Sequence, residues 1–194
     1  MKIEDCDCSS RTESNGAKAV ASSLEIESLC IHGNTQTYDH TGAISVPIFQ
    51  SATFAHPAVG QSTGFDYSRL QNPTREALEQ TVARLENGLD ALAFSTGMAA
   101  VTMLMELFSP GDHIVASSDL YGGTRRLFDH VSVKNGLTIT FVDAGVEYAL
   151  ASSIQPNTKA IFLDTPTNPM MQVADITAAS VLAKAHGLLL IVDN

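Results

Sequence analysis

The chain has 194 residues and a formal net charge of −10, since 11 lysines and arginines stand against 21 aspartates and glutamates. This acidic balance repels polyanions and argues against nucleic acid as a partner. Hydrophobic residues make up 44% of the sequence and charged residues 16%, values typical of a folded globular protein rather than a disordered one. The longest apolar stretch, Ala99 to Phe108, is too short to span a bilayer, so no membrane segment is expected.

The first 23 residues are polar and lack periodicity, which predicts a flexible leader. Cys6 and Cys8 provide too few ligands for a structural zinc site, and the six histidines show no metal-ligand spacing, so no metal is expected. The acidic start, MKIEDCDCSS, lacks the basic and apolar regions of a signal peptide, which favours a cytoplasmic protein.

The run LEIESLCIHG predicts a short helix, with Ser22 or Ser23 as its N-cap and Gly33 as its end. A mostly extended arm containing Pro47 and Pro57 follows, to about residue 60. We therefore expect a leader over 1–23, an N-terminal arm over 24–60 and a main domain over 61–194.

Asn72-Pro73 predicts the start of a second helix, because proline suits the first helical position, and Asn87-Gly88 predicts its end. Four apolar side chains fall on one face of this helix, namely Leu78, Val82, Leu85 and Leu89.

Beyond residue 90, short apolar runs alternate with helical segments, which indicates βαβ units. The predicted strands are 91–94, 113–117, 137–142, 159–164 and 188–193. The predicted helices are 97–108, 123–134, 146–153 and 175–186. The strands are strongly apolar, so we expect an α/β fold in which a mostly parallel sheet carries helices on both faces.

Ligands of such sheets bind at the carboxyl ends of the strands, where the loops leave the sheet. Four segments of this sequence fall there, namely Ser95–Met98, Ser117–Tyr121, Asp164–Pro169 and Asp193. The segment Ser95-Thr96-Gly97-Met98 suits a phosphate, because N–H groups at a helix start donate to anions, but it also suits simple helix capping.

Each remaining candidate likewise has a functional and a purely structural interpretation. Tyr121 could stack on a flat cofactor or fill a loop. Asp193 could pair with a protonated pyridine nitrogen or cap the next element. Asn168, held between two prolines, could bind a ring substituent or a substrate carboxylate, or belong to a plain turn. Arg69, close to Tyr67, could grip a phosphate with its planar fork or be a solvated loop residue.

In order and content, residues Leu29 to Asn194 resemble the transsulfuration (Cys/Met metabolism) family of fold-type I pyridoxal-phosphate enzymes. The most specific segments are TGAISVPIFQSATF, YSRLQNPTREALEQTVARLENG, AFSTGMAA, GDHIVASSDLYGGTRRLF, DTPTNPMMQVADI and HGLLLIVDN. The resemblance identifies residues 61–194 as part of a pyridoxal-phosphate-binding domain, with pyridoxal 5′-phosphate as the implied cofactor.

The resemblance also implies roles for the candidate residues. The amides of Gly97 and Met98 would hold the cofactor phosphate, Tyr121 would stack on the pyridine ring and assist catalysis, and Asp193 would pair with the ring nitrogen.

The resemblance assigns roles to three further residues. Tyr67 and Arg69 match a pair that reaches the phosphate of the neighbouring subunit, which implies a homodimer or homotetramer. Asn168 matches the asparagine of the family's TNP loop, near the cofactor and the substrate carboxylate. Asp164 stands where the family usually has a glutamate, a mild departure.

The implied reaction makes or breaks a bond at the β or γ carbon of a sulfur amino acid or an O-acylated homoserine. Within the family, the resemblance slightly favours cystathionine γ-synthase or O-acylhomoserine sulfhydrylase, with cystathionine β- or γ-lyase as the alternative.

A second departure concerns the family's cofactor-binding lysine, which lies in a Ser-x-Thr-Lys type segment after its VDN. None of the five lysines, Lys2, Lys18, Lys134, Lys159 and Lys184, stands in the matching place. We therefore expect little or no activity from these 194 residues, either as a fragment of an active enzyme or as a relic that at most binds or assembles with a partner. A nucleotide-binding domain is disfavoured, because the sequence has no G-x-G-x-x-G or G-x-x-x-x-G-K motif.

Overall fold

The computed structural model describes residues 25–33 and 42–194, which belong to two compact units that divide between Ala93 and Phe94. The predicted leader over 1–23, with Cys6, Cys8 and both serines expected as N-caps, lies outside the described residues.

Two helices belong to the first unit. Helix α1 spans Ile26–His32, starts after Glu25 and ends at Gly33, whose positive φ of 55° is easily adopted by glycine. Helix α2 spans Pro73–Leu85 and begins as predicted, with proline at its first position and the Asn72 side chain accepting a hydrogen bond from the N–H of Thr74 at 2.9 Å.

The side of α2 that is buried differs from its most apolar side. Ala77 and Ala83 are buried, whereas Leu78 and Val82 remain 55% and 41% exposed. Before this helix the chain doubles back on itself, because Thr53 and Tyr67 form an antiparallel bridge. The segment expected as an extended arm therefore ends in a returning loop.

The second unit is built on a parallel sheet, as predicted, and within the described residues this sheet has four strands rather than the five expected. Its strands are β1 (His113–Ser117), β2 (Thr138–Val142), β3 (Thr158–Asp164) and β4 (Leu189–Asp193), in the spatial order β2-β1-β3-β4. Its helices are α3 (Gly97–Met105), α4 (Gly122–Leu127, continued by a π-helical turn over Phe128–Ser132), α5 (Glu147–Ser152) and α6 (Ile176–His186).

The central strands β1 and β3 separate two hydrophobic clusters, because alternate side chains of a strand point to opposite faces. On one face, Phe162 packs edge-on against Phe128 at a ring distance of 5.3 Å, together with Val101 of α3. On the other face, Ile161 packs with Leu150 of α5 and residues of α6. Helices thus cover both faces, and the two outer strands are less buried than the central ones.

Residues 91–94, predicted as a strand, do not form one. The N–H groups of Ala91 and Ala93 donate instead to the side chains of Asp90 and Glu79, both at 2.9 Å. A short apolar run becomes a strand only where a neighbouring strand can take its backbone hydrogen bonds, and this run has no such neighbour among the residues that the structure describes. None of the described helices has the length and apolar content that a membrane crossing requires.

Candidate functional site

A cavity of about 430 Å³ opens at the carboxyl edge of the sheet in the second unit. It is formed by the start of α3, the loop after β1, the loop after β3 and the end of β4, which are the four segments that the strand-end rule selects. Five of the predicted site residues line it, namely Gly97, Met98, Tyr121, Asn168 and Asp193. Their roles as cofactor ligands stay predictions.

The start of α3 presents unpaired backbone donors to this cavity. Thr96 is the N-cap, and its hydroxyl accepts from the N–H of Ala99 at 3.0 Å. Within the described residues, the N–H groups of Gly97 and Met98 donate to no acceptor. A Cβ added to Gly97 would meet no atom within 4 Å, so this glycine borders open space. The capping and anion-binding interpretations of this segment are therefore compatible, because different N–H groups serve each.

Tyr121 is held by its backbone and leaves its ring half exposed. It directly precedes α4, and its N–H donates to the Asp164 carboxylate at 2.9 Å. The residue is 48% exposed, and its ring lies beside Gly123, where an added Cβ would approach the ring atom Cε1 to 2.6 Å and the Met98 sulfur to 2.8 Å. The absence of a side chain at Gly123 therefore makes room for the ring.

Asp164 and Asp193 lie side by side, because they are paired residues of the adjacent strands β3 and β4. Asp164 is only 6% exposed. Burial raises the pKa of its carboxyl above the ordinary value of 3.8, the N–H of Tyr121 opposes this rise, and the negative charges of Asp193 and Asp119 add to it. A cationic group bound against Asp193 would relieve the repulsion between the two strand-end carboxylates.

The loop after β3 carries Asn168 at the cavity edge. Thr165 anchors the base of this loop, because its N–H donates to the carbonyl of Asp193 at 3.0 Å and its carbonyl accepts from the Asn194 side chain at 2.7 Å. The peptide bonds preceding Pro166 and Pro169 are both cis. Asn168 itself is exposed and lines the cavity.

Tyr67 and Arg69 belong to the first unit, where the Arg69 guanidinium lies over the Tyr67 ring at 4.9 Å from its centroid. This cation–π contact keeps the two side chains together. Their expected role at the phosphate of a neighbouring subunit stays a prediction.

Sequence reasoning missed several residues that line the cavity, notably Val101, Thr124 and Asn194. Asn194 could have been found, because it directly follows Asp193 at a strand end. Thr124 gives no such signal, since it is fully buried in the first turn of α4 and resembles any helical threonine.

Residues 27–194 match a family model described as Cys/Met metabolism PLP-dependent enzyme. A cystathionine gamma-synthase/O-acetylhomoserine (thiol)-lyase of Bacillus subtilis is 54% identical over 154 residues, which cover 79% of this chain and 41% of that protein. A cystathionine gamma-lyase of the same organism is 49% identical over 171 residues, covering 88% of this chain and 45% of that protein.

Among solved structures, cystathionine gamma-lyase from Lactobacillus plantarum complexed with L-serine matches with a TM-score of 0.83 and 46% identity, covering 88% of this chain and 45% of that one. The chain spans about half the length of the curated relatives it matches.

Proposed function

Since the chain belongs to the Cys/Met metabolism PLP-dependent enzyme family, whose cofactor is pyridoxal 5′-phosphate, we propose that the cavity at the carboxyl edge of the sheet holds this cofactor. One observation carries the proposal. The free N–H groups of Gly97 and Met98 and the carboxylate of Asp193 line the same cavity. A molecule with a phosphate on one side and a basic ring nitrogen on another needs both kinds of partner.

Each residue has a task that follows from its environment. The N–H groups at the start of α3 and the positive end of the helix dipole bind the phosphate, and Gly97 leaves space beside them. The half-exposed Tyr121 ring offers a flat face to the pyridine ring. Asp193 accepts a hydrogen bond from the ring nitrogen and keeps its proton in place. When bound, the cofactor withdraws electrons from the substrate α-carbon and stabilises a carbanion there.

The loop residue Asn168 supplies an amide at the cavity edge that can donate to a substrate carboxylate. Tyr67 and Arg69 extend the proposal to a homodimer or homotetramer, in which this pair reaches the phosphate of the neighbouring subunit. We further propose a cytoplasmic location, in keeping with a substrate that is a small amino acid.

For the whole protein, we propose a replacement or elimination at the β or γ carbon of a sulfur amino acid or an O-acylated homoserine. The named relatives include both a synthase and a lyase, at 54% and 49% identity, so the similarity favours γ-replacement only slightly.

A second candidate is non-covalent cofactor binding without turnover, and it is favoured by a specific observation. No lysine of residues 25–33 and 42–194 lines the cavity. A lysine that binds the cofactor covalently also moves the proton at the substrate α-carbon, so a cavity without one holds the cofactor but lacks this acid–base group.

The test is to titrate the purified chain with pyridoxal 5′-phosphate and, separately, with pyridoxal, and to measure the two dissociation constants by fluorescence. We expect the phosphate to strengthen binding at least tenfold. Asp193→Ala should weaken binding of the phosphate form about tenfold or more, the loss typical of one charge-assisted hydrogen bond. Asp143→Ala is the matched control, because Asp143 is an exposed strand-end aspartate that accepts only from its own turn, at Gly145.

Equal affinity for the two forms, or no effect of Asp193→Ala beyond that of the control, would sink the proposed cofactor site. Borohydride reduction followed by peptide mass spectrometry separates the two candidates. We expect no single lysine to be labelled in this chain, and specific labelling of one lysine would overturn the non-covalent candidate.

A further inference from the structure

Asn168 lines the cavity without a hydrogen bond of its own side chain to any described residue. The position of this amide is therefore fixed only through the backbone of the loop after β3. What holds that loop decides where Asn168 stands.

The loop is held by Asp119, which lies in the loop after β1. Its Oδ2 atom accepts from the hydroxyl of Thr167 at 2.5 Å and from the N–H of Met170 at 3.1 Å. The two donors flank Asn168, one on its N-terminal side and one on its C-terminal side. One carboxylate oxygen thus fixes both ends of the two-residue stretch Asn168-Pro169.

A second contact joins the same two regions, and here the acceptor lies at the end of β3 and the donor in the loop after β1. The Asp164 carboxylate, at the end of β3, accepts from the N–H of Tyr121, and the N–H of Asp164 donates to the hydroxyl of Ser117 at 3.2 Å. Asp119 therefore binds the loop after β3, and Asp164, the last residue of β3, binds the loop after β1. Asp119 lies two residues before Tyr121, so a displacement of Asp119 moves the two sides of the cavity relative to each other.

We infer that Asp119 is a positioning residue that sets the place of Asn168 relative to Tyr121. The inference deepens the proposed function, and it rests on that function for its effect on cofactor binding. The hydrogen bonds that carry it are independent of any ligand.

The loop keeps other hydrogen bonds when Asp119 is removed. The N–H of Thr167 donates to the carbonyl of Gln172 at 2.9 Å, and the N–H of Met171 donates to the carbonyl of Thr167 at 2.9 Å. The N–H of Ala174 donates to the hydroxyl of Thr165 at 3.0 Å. We therefore expect an Asp119 variant to fold, with a loop that is closed on itself but no longer tied to the loop after β1.

Two variants of Asp119 and the Asp143→Ala control test the inference in the full chain. Asp119→Ala removes the acceptor, whereas Asp119→Asn keeps an amide oxygen that can accept from both donors without the charge. Backbone hydrogen exchange at Met170, measured by NMR, should become about tenfold faster in Asp119→Ala. In Asp119→Asn the change should be within about threefold, because neutral hydrogen bonds are roughly half as strong as charge-assisted ones.

The dissociation constant for pyridoxal 5′-phosphate should follow the same order, rising about tenfold in Asp119→Ala and recovering in Asp119→Asn. Unchanged exchange at Met170 in Asp119→Ala would overturn the inference. Faster exchange with cofactor affinity equal to that of the Asp143→Ala control would also overturn it, because Asp119 would then shape only its own loop. If the unaltered chain binds no cofactor, the proposed function fails, and the exchange data alone then support or overturn the role of Asp119.

Discussion

Replacing Gly123 by alanine should displace the Tyr121 ring from the place where the structure holds it. The added Cβ would lie 2.6 Å from the ring atom Cε1 and 2.8 Å from the Met98 sulfur. Both distances are about 1 Å shorter than an ordinary contact of roughly 3.5 to 4.0 Å between heavy atoms. Gly122 provides a matched control in the same helix turn, because its Cβ would meet only an Arg126 side-chain nitrogen at 4.0 Å.

The two substitutions should change the free energy of unfolding in opposite directions. Overfilling a packed site costs about 1 to 3 kcal/mol. Alanine is favoured over glycine in a helix interior by about 0.5 to 1 kcal/mol, and both variants gain at most this amount, because Gly122 and Gly123 are the first two residues of α4. Gly122→Ala should therefore stabilise the chain slightly, whereas Gly123→Ala should destabilise it by about 1 kcal/mol after the gain is subtracted.

Urea unfolding, followed by tyrosine circular dichroism, measures this difference. The two variants should differ by about 2 kcal/mol, which corresponds to roughly 4 to 8 °C in melting temperature for a chain of this size. A Gly123→Ala variant that is as stable as Gly122→Ala, with an unchanged tyrosine signal, would refute the placement of the ring against Gly123.

Buried polar groups and the α3 cap yield three more expectations. Burial lowers the pKa of His113, whose ring nitrogens lie 2.7 and 2.9 Å from two threonine hydroxyls. The contribution of the neutral His113 ring to stability is therefore complete above pH 6.5, the ordinary pKa of histidine, and is lost as the pH falls below that value. Urea midpoints between neutral and acidic pH should show this loss, and it should shrink in His113→Gln but not in the exposed-residue control His186→Gln. Because burial raises the pKa of Asp164, its ionised form opposes folding, and Asp164→Asn should raise the urea midpoint at neutral pH. That advantage should shrink as the pH falls through the raised pKa of Asp164 and be gone below 3.8, and an advantage that persists in acid would contradict the cause given. Thr96→Ala should cost about 1 kcal/mol through loss of the α3 cap, and Thr96→Ser should restore it in the same assay.

Local signals explain why much of the fold was predictable. The start of α2 was predictable because the Asn72 side chain caps the helix that begins at the next residue. The end of α1 was predictable because Gly33 directly follows the helix and adopts a positive φ with ease. The alternation of apolar runs and helical segments is also a local signal, and it led to the correct prediction of a parallel sheet. The rule for strand ends placed Asp193 at the carboxyl edge without knowledge of the strand order. Gly97 was predicted at the same edge because it follows residues 91–94, and its position is correct although those residues do not form a strand.

Strand order itself was not predictable from these signals, and the contacts within the cavity depend on it. Asp119 and Thr167 meet although 48 residues separate them, and nothing in either segment indicates the other. The strand predicted at 91–94 fails for a related reason, because a strand requires a partner whose position the local sequence does not specify.

The strand order has a kinetic consequence for the cavity. The pair β1–β2 joins segments about 25 residues apart in the chain, whereas the pair β1–β3 joins segments about 45 residues apart, and longer loop closures are entropically costlier and slower. The two loops that carry Tyr121 and Asn168 come together only when β3 docks beside β1. In a refolding experiment, capture of the cofactor should therefore accompany or follow the burial of Phe162 on β3, and a stronger β1–β2 pairing alone should not hasten it.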